Sequence, residues 1–445
     1  MISLLKVGSV AVFFLLLAVT PFYVPLFGGF GALQWDAREV HLTNLIFSSQ
    51  AWHEGFSPLW TPYIFNGFPQ VADLQVAVFY PVNLLIGLFG VFSQKLLLWQ
   101  IVFHYALAGF GMCLLVRELT KSTLARLNFR TFGNDVGAEL QYENLGGLAG
   151  VFSGIAYMFS GFMLGHASHV GMQNTAAWLP IVFLLVYIAL ERQSLVYATG
   201  AGLATGIAIL AGHFQVSVFL LFAVGAYFVF DFLFSWWSTK MFPWRKAALM
   251  ALVGLVAFLI SAVQLLPTFE LSAQSQRAGI PLELAQTESL EPSSLWGLTE
   301  ANYQNVAYGN YTGPWDRTQN FLFLGITTLG FAIAALLVQV RRVQLPVTMF
   351  LALLAVIALS YSFGKNGFLH QYFYLLPLFD KMRAPSNMML LFDFSVIVLA
   401  GFGFAMLRRL FPRMRMFGYV AVLVIALEVV PYALLTELTY VQKNQ

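Results

Sequence analysis

Apolar residues in this chain are grouped into runs of bilayer length. The first spans Val7 to Phe27. Others follow at 76–92, 96–116, 145–164, 175–190, 195–212, 216–234, 247–266, 320–340, 347–363, 388–407 and 417–435. A helix crossing a bilayer needs about 20 apolar residues. No water is available there to pair the backbone, so these runs are predicted to be helices. Trp99, Trp178, Trp236, Trp237 and Trp244 stand near run ends, where indole rings suit the membrane–water boundary. The run 76–92 is short and contains Pro81 and Asn83, which predicts a re-entrant or interfacial segment. Val7–Phe27 follows Lys6 as a secretory leader would. It has no small-residue cleavage site, and Pro21 and Pro25 interrupt its end, so a retained span is expected. The pattern predicts an all-α polytopic membrane protein of about 11–12 membrane segments.

Basic residues orient these segments. Arg117, Lys121, Arg126 and Arg130 share one loop, and Lys240, Arg245 and Lys246 another. Arg341 and Arg342 mark a third, and Arg408, Arg409, Arg413 and Arg415 a fourth. With the amino terminus inside, all fall on the cytoplasmic side only if 76–92 does not cross or if two adjacent runs form one broken element, and the first is the expectation here. Three substantial external loops result, Gly28–Gln75, Pro267–Gln319 and Gly364–Asn387, with a shorter one holding Gly165-His166-Ala167-Ser168-His169. No linker, low-complexity tract or internal repeat divides the chain, so residues 1–445 are expected to form one membrane domain.

Composition agrees: 59% of residues are hydrophobic and 10% charged, which excludes an ordinary soluble domain. A net charge of +3 gives no electrostatic basis for nucleic-acid binding. Cys113 is the only cysteine and lies within an apolar run, as a buried, inert thiol would.

The chemistry-bearing residues are in the external loops. Leu42, Leu45, Ile46, Ser49 and Trp52 form a helical stripe, which predicts an amphipathic helix over Ala37–Glu54 lying on the membrane surface. Asp36 suits its N-cap, with Glu39 completing a capping-box-like pair. A capping carboxylate can keep one oxygen free, so Asp36 is also a candidate base. Pro58-Leu59-Trp60 through Asn66-Gly67-Phe68-Pro69 reads as a structured loop, rigid at its prolines and tight at its glycine, whose ordinary role is a surface loop with aromatic membrane anchors, and Asp73 follows it. His166, His169 and His213 stand at span ends. No tight metal-ligand spacing joins them, and interfacial hydrogen bonding is their ordinary role. Asp231, Asp393 and Glu428 fall inside spans and are expected to make helix–helix contacts. Gly109, Gly111, Gly146, Gly147, Gly150 and Gly154 permit close helix packing.

The order of several short motifs adds a resemblance. Asp36 is followed by Pro58-Leu59-Trp60, Gly67-Phe68-Pro69 and Phe79-Tyr80-Pro81, then Ser160-Gly161-Phe162 with Gly165-His166, and Trp178-Leu179-Pro180. Gly212-His213-Phe214-Gln215, Gln264-Leu265-Leu266-Pro267, Ser275-Gln276-Arg277 and Arg383-Ala384-Pro385-Ser386 complete the series. Together these resemble the YfhO family of bacterial membrane proteins, grouped with GT-C glycosyltransferases that use polyprenyl-phosphate-linked sugars. Two features depart from the family pattern. Ser386-Asn387 stands where relatives tend to carry a second basic residue, and the chain stops at Gln445 where many continue. The second departure leaves three expectations for acceptor recognition: reduced, differently arranged, or missing from a truncated chain.

The resemblance implies a GT-C-like bundle in the bacterial cytoplasmic membrane, transferring a sugar from a polyprenyl-phosphate donor to an envelope glycan, lipid or protein. Asp36 would then be the acidic residue of the first external loop at the reacting centre, accepting the proton of the acceptor hydroxyl, with Asp73 a second candidate for sugar binding or metal coordination. Arg277, Arg383, Lys381 and Arg317 would receive the donor phosphate, each competing with ordinary loop ion pairs to Glu270, Asp316 or Asp380. His166, His169, His213 and Trp60 would line the site, and a divalent metal is an open expectation. The alternatives are a lipid or solute transporter, or a non-catalytic assembly partner. Membrane lipids are partners under every reading.

Overall fold

The computed structural model describes residues 4–28, 32–129, 136–342, 346–410 and 416–442. Arg130, Arg413 and Arg415 of the basic clusters lie outside them, and the side chains of Arg126, Arg341, Arg342 and Arg409 are not among those described. The helices are α1 (Leu4–Val19), α2 (Thr43–Glu54), α3 (Pro81–Phe89), α4 (Gln94–Phe129), α5 (Val136–Met158), α6 (Val170–Arg192) and α7 (Leu195–Leu210). They continue with α8 (Phe214–Thr239), α9 (Trp244–Ala273), α10 (Ile326–Arg342), α11 (Pro346–Ser362), α12 (Met389–Leu410) and α13 (Phe417–Tyr440). Among the described residues 8 helical segments are long and apolar enough to cross a membrane, and α7, α10 and α11 are shorter apolar helices. The chain is an all-α, multi-pass membrane protein. Its strand content among the described residues is a two-residue antiparallel pair, Ala32–Leu33 with Val441–Gln442.

The span containing α12 is 94% buried and forms the bundle axis, with α5, α10 and α11 packed around it. The spans of α1 and α9 are only 28% buried, so most of their apolar surface faces outward. Such outward faces suit lipid rather than water. Gly146, Gly150 and Gly154 bring α5 against α4. A Cβ at Gly150 would lie 2.5 Å from the Cys113 carbonyl oxygen, so the backbones meet only because the side chain is absent. Gly147 faces no such neighbour.

The run 76–92 does not cross. Its helix α3 has 9 residues, a length of about 13 Å at 1.5 Å per residue. Three expected loop boundaries move, the simplest being that the loop expected to end at Gln319 runs on to Gly325 before α10 begins at Ile326. Pro267 lies inside α9, which continues to Ala273, so the loop expected from Pro267 begins at Gln274. The loop expected to end at Asn387 gives way to helical structure at Pro385.

The intramembrane acids are partnered. Lys246 donates to Asp231 at 2.6 Å near the amino-terminal end of α9. Asp393 accepts from the Phe162 amide at 3.2 Å, and Glu428 accepts from the Thr327 hydroxyl at 2.9 Å.

Candidate active site

A cavity of about 670 Å³ opens at the carboxyl-terminal end of α9, where the loops after α1, α7, α9 and α11 converge. Asp36, Asp73, His169, His213, Arg277, Lys381 and Arg383 all line it. These residues are far apart in sequence, and the fold brings them into one chamber.

Three expected site residues lie elsewhere. Trp60 packs its ring on Gly67, where a Cβ would meet it at 2.6 Å, so it braces the loop. Arg317 donates to the Gly309 carbonyl at 2.8 Å and thereby closes its own loop. His166 sits buried behind the cavity wall, its Nδ1 3.1 Å from Nδ1 of His169.

Asp36 is not a cap. Its backbone is already helical (φ −56°, ψ −33°), its carboxylate bonds no amide of the following turn, and Ala37–Leu42 is a π-helical segment leading into α2. The predicted stripe does face inward except at its end: Leu45 and Ser49 are buried and Leu42 and Ile46 pack on the core, together with Ala37, His41 and Ser48, whereas Trp52 is 46% exposed. His41, buried within this π-helical segment, lines the cavity. With no cap to serve, the Asp36 carboxylate stays 53% exposed, 3.7 Å from Nε2 of His169.

Asp73 is the carboxylate that does cap, accepting the Gln75 amide at 2.9 Å, and burial raises its pKa. Three cavity histidines are held toward the neutral form. Burial chiefly lowers His213 to about 3 and His41 to about 4. Burial also lowers His169, while Asp36 and Asp316 oppose it. His213 accepts the Val216 amide through Nδ1 at 3.2 Å, so its neutral ring carries the proton on Nε2.

The basic wall is built from two loops that grip each other. Arg277 donates to the Lys381 carbonyl at 3.3 Å, and Lys381 donates to the Ala278 carbonyl at 2.6 Å. Of the expected acidic partners, Asp380 approaches Lys381 at 3.9 Å. Burial and then the like charge of Arg383 lower the pKa of Arg277, so two guanidinium groups share one chamber. Glu288 faces Arg383 from the opposite loop; burial raises its pKa against the pull of that arginine.

The motif residues mostly hold these walls. Gln215 donates to the Arg383 carbonyl at 2.7 Å and to the Ala384 carbonyl at 3.2 Å, pinning a turn in which Ala384 has φ +57°. Gln264 reaches the Val71 carbonyl at 2.6 Å, and Trp178 donates to the Tyr80 hydroxyl at 3.0 Å. Gly212, at φ +106°, lets the end of α7 pass Leu74 and Ala77, whose atoms a Cβ would meet at 3.1 Å.

Sequence reasoning passed over His41, Gln215, Glu288 and Asp316 as lining residues. Gln215 carried a signal as the last residue of its motif. His41 carried one in its spacing, four residues from both Ala37 and Leu45. Glu288 and Asp316 are unremarkable loop acids until the loops close over the cavity. Among the described residues no three His, Cys, Asp or Glu side chains gather closely enough to hold a metal ion.

The fold and site define a polytopic membrane protein with a cavity at one end of its bundle, walled by carboxylates, neutral histidines and arginines. No family model matches the sequence, and no curated protein does. Among solved structures the chain is similar to the Archaeoglobus fulgidus oligosaccharyltransferase in its apo form, at 13% identity and TM-score 0.49, covering 98% of this chain and 56% of that one. It is also similar to the oligosaccharyltransferase from that organism in complex with Zn and sulfate, at 14% identity and TM-score 0.46, covering 98% and 54%. The chain thus spans a little over half the length of the solved structures it matches.

Proposed function

We propose that this chain is a GT-C-type glycosyltransferase of the bacterial cytoplasmic membrane. It transfers a sugar from a polyprenyl-phosphate donor to an acceptor at the external face, with residues 1–445 acting as one domain. One observation carries the reading: a half-exposed carboxylate, Asp36, shares a chamber with two arginines, Arg277 and Arg383. That is the charge arrangement needed to deprotonate an acceptor while an anionic phosphate departs.

In this mechanism Asp36 takes the proton of the acceptor hydroxyl. The freed oxygen attacks the anomeric carbon from the face opposite the phosphate. The bond from that carbon to the phosphate oxygen breaks with inversion, and its electron pair leaves on the lipid phosphate, held by Arg277 and Arg383. Lys381 adds positive charge to the same wall. Asp73 and Nε2–H of His213 offer hydrogen bonds to sugar hydroxyls. The polyprenyl chain would lie along the outward face of α9, where Leu259, Val263, Leu266 and Phe269 are exposed and Phe269 also lines the cavity.

The transporter reading has less support. It calls for charges lining a path through the bundle, whereas the basic and acidic groups of the cavity come from loops. The buried Lys246–Asp231 pair lies near the other end of the 30-residue α9. The test is sugar transfer by purified protein from a defined undecaprenyl-phosphate sugar, with envelope lipids and glycans as acceptors. Product formation is expected. Movement of labelled donor between leaflets with no product would replace this reading with the transporter.

A further inference from the structure

The segment between the first span and α4 carries an apolar surface that the proposed reaction does not use. From Gly55 to Gln94 the one charged residue is Asp73, which faces the cavity. The outer surface of this segment has two parts. One is a fixed hairpin tip. Thr61 and Phe68 exchange backbone hydrogen bonds at 2.9 and 2.8 Å, and Gly67 donates to the Ile64 carbonyl at 2.9 Å. Phe65 and Asn66 both take left-handed backbone angles (φ 51° and 60°), which turns the tip sharply. Tyr63 and Phe65 are left 80% and 84% exposed.

The other part is α3, in which the one polar side chain turns inward and the outward side chains are all apolar. Its inward face presents Asn83 and Gly87, while Leu85, Leu88 and Phe89 face outward, Leu88 at 72% and Phe89 at 86% exposure. Asn83 is held from both sides, donating to the Ala77 carbonyl at 3.0 Å and accepting from Gln100 at 2.8 Å. Phe92 donates its amide to the Ser49 hydroxyl at 2.9 Å, and Gly87 sits against Ser49 and Trp52 of α2. The Phe47 ring of the same helix contacts Phe56 and Tyr63, each at 5.8 Å. Tip and helix are therefore docked on the common support of α2.

We propose that the hairpin tip 62–67 and the outer face of α3 form a non-spanning wedge that inserts into the lipid leaflet on the cavity side. A nine-residue helix cannot cross, and a helix whose outward side chains are all apolar is poorly placed facing water. The absence of surface charge fits lipid better than a protein rim. The surface is also continuous with the membrane domain, because Phe92 leads directly into the span of α4. Trp52, Trp60 and Tyr63, exposed around the wedge, suit the headgroup boundary. Phe68, at the base of the hairpin, lines the cavity, so the depth of the wedge would fix the height of the cavity mouth against the headgroups. This inference stands apart from sugar transfer and is tested without it.

Single cysteines at Phe65 and Leu88, in a Cys113→Ala background, are spin-labelled and reconstituted in phosphatidylcholine–phosphatidylglycerol nanodiscs. Collisional accessibility to oxygen and to a water-soluble nickel complex is then measured. Leu259→Cys on the exposed face of α9 serves as the lipid reference and Asn310→Cys as the aqueous one. Both test labels are expected to favour oxygen, as at Leu259. Nickel-dominated accessibility, as at Asn310, overturns the wedge. Labels immobilised and shielded from both reagents also overturn it, since a second copy or a protein partner would then cover the face.

Discussion

Replacing Asp36 with asparagine separates chemistry from folding more cleanly here than at most carboxylates. The side chain caps no amide, is half exposed, and among the described residues has one ion-pair partner, His169 at 3.7 Å. Its removal should therefore change stability by no more than about 0.5 kcal/mol, the usual range for a surface substitution. Asparagine retains the shape but cannot take a proton. Loss of a general base costs roughly 10²-fold or more in turnover, equivalent to about 2.7 kcal/mol of barrier. Removing a negative charge from a chamber that receives a phosphate should leave donor binding unchanged or tighter. Asp36 also opposes the lowering of the His169 pKa, so the variant lowers it further and that ring stays neutral. The assay is single-turnover transfer from an undecaprenyl-phosphate sugar, alongside thermal unfolding and donor titration. A variant that unfolds like wild type and transfers sugar at near-wild-type rate would refute the catalytic assignment.

Arg277→Ala and Arg383→Ala should each weaken donor binding by about 10-fold or more, as expected for a lost hydrogen bond to a charged group. The lysine variants should lose less, since charge survives without the bidentate fork; unchanged donor affinity in both alanine variants would remove the two residues from the site. His41 and His213 have folded-state pKa values well below the unfolded value, so the unfolded chain binds more protons and stability is lost as pH falls below about 6.5. From pH 7 to pH 5 each should cost on the order of 1–2 kcal/mol, read as a falling unfolding temperature that His41→Gln or His213→Asn flattens; a pH-independent wild-type transition would contradict this. For sidedness, impermeant thiol reagents applied outside whole cells should label Ser57→Cys and Ser293→Cys in a Cys113→Ala background but not Ser122→Cys or Ser238→Cys. The reverse pattern would place the cavity in the cytoplasm.

Much of the architecture was legible in the sequence because lipid imposes a simple rule: backbone polar groups must pair within the segment, so a long apolar run becomes a helix. The same rule marked 76–92 as the exception, through its shortness and its Pro81 and Asn83. The concentration of Asp36, Asp73, Arg277 and Arg383 in loops was visible as well, since charges are costly inside a bilayer. Tertiary structure alone decided which of these charges meet. Arg277 and Arg317 were both expected to receive the donor phosphate, Arg277 alone of the two within a motif, yet Arg277 faces the cavity while Arg317 turns back to the Gly309 carbonyl. His166 and His169 looked equivalent three residues apart, yet the turn between them buries one and presents the other to Asp36. Local pattern predicted a cap at Asp36, and the π-helical turn removed it. Helices are fixed by interactions a few residues apart, and the sequence carries those directly. The cavity depends on hydrogen bonds between distant loops, such as Gln215 to the Arg383 carbonyl and Gln264 to the Val71 carbonyl, and those pairings exist only once the bundle has closed.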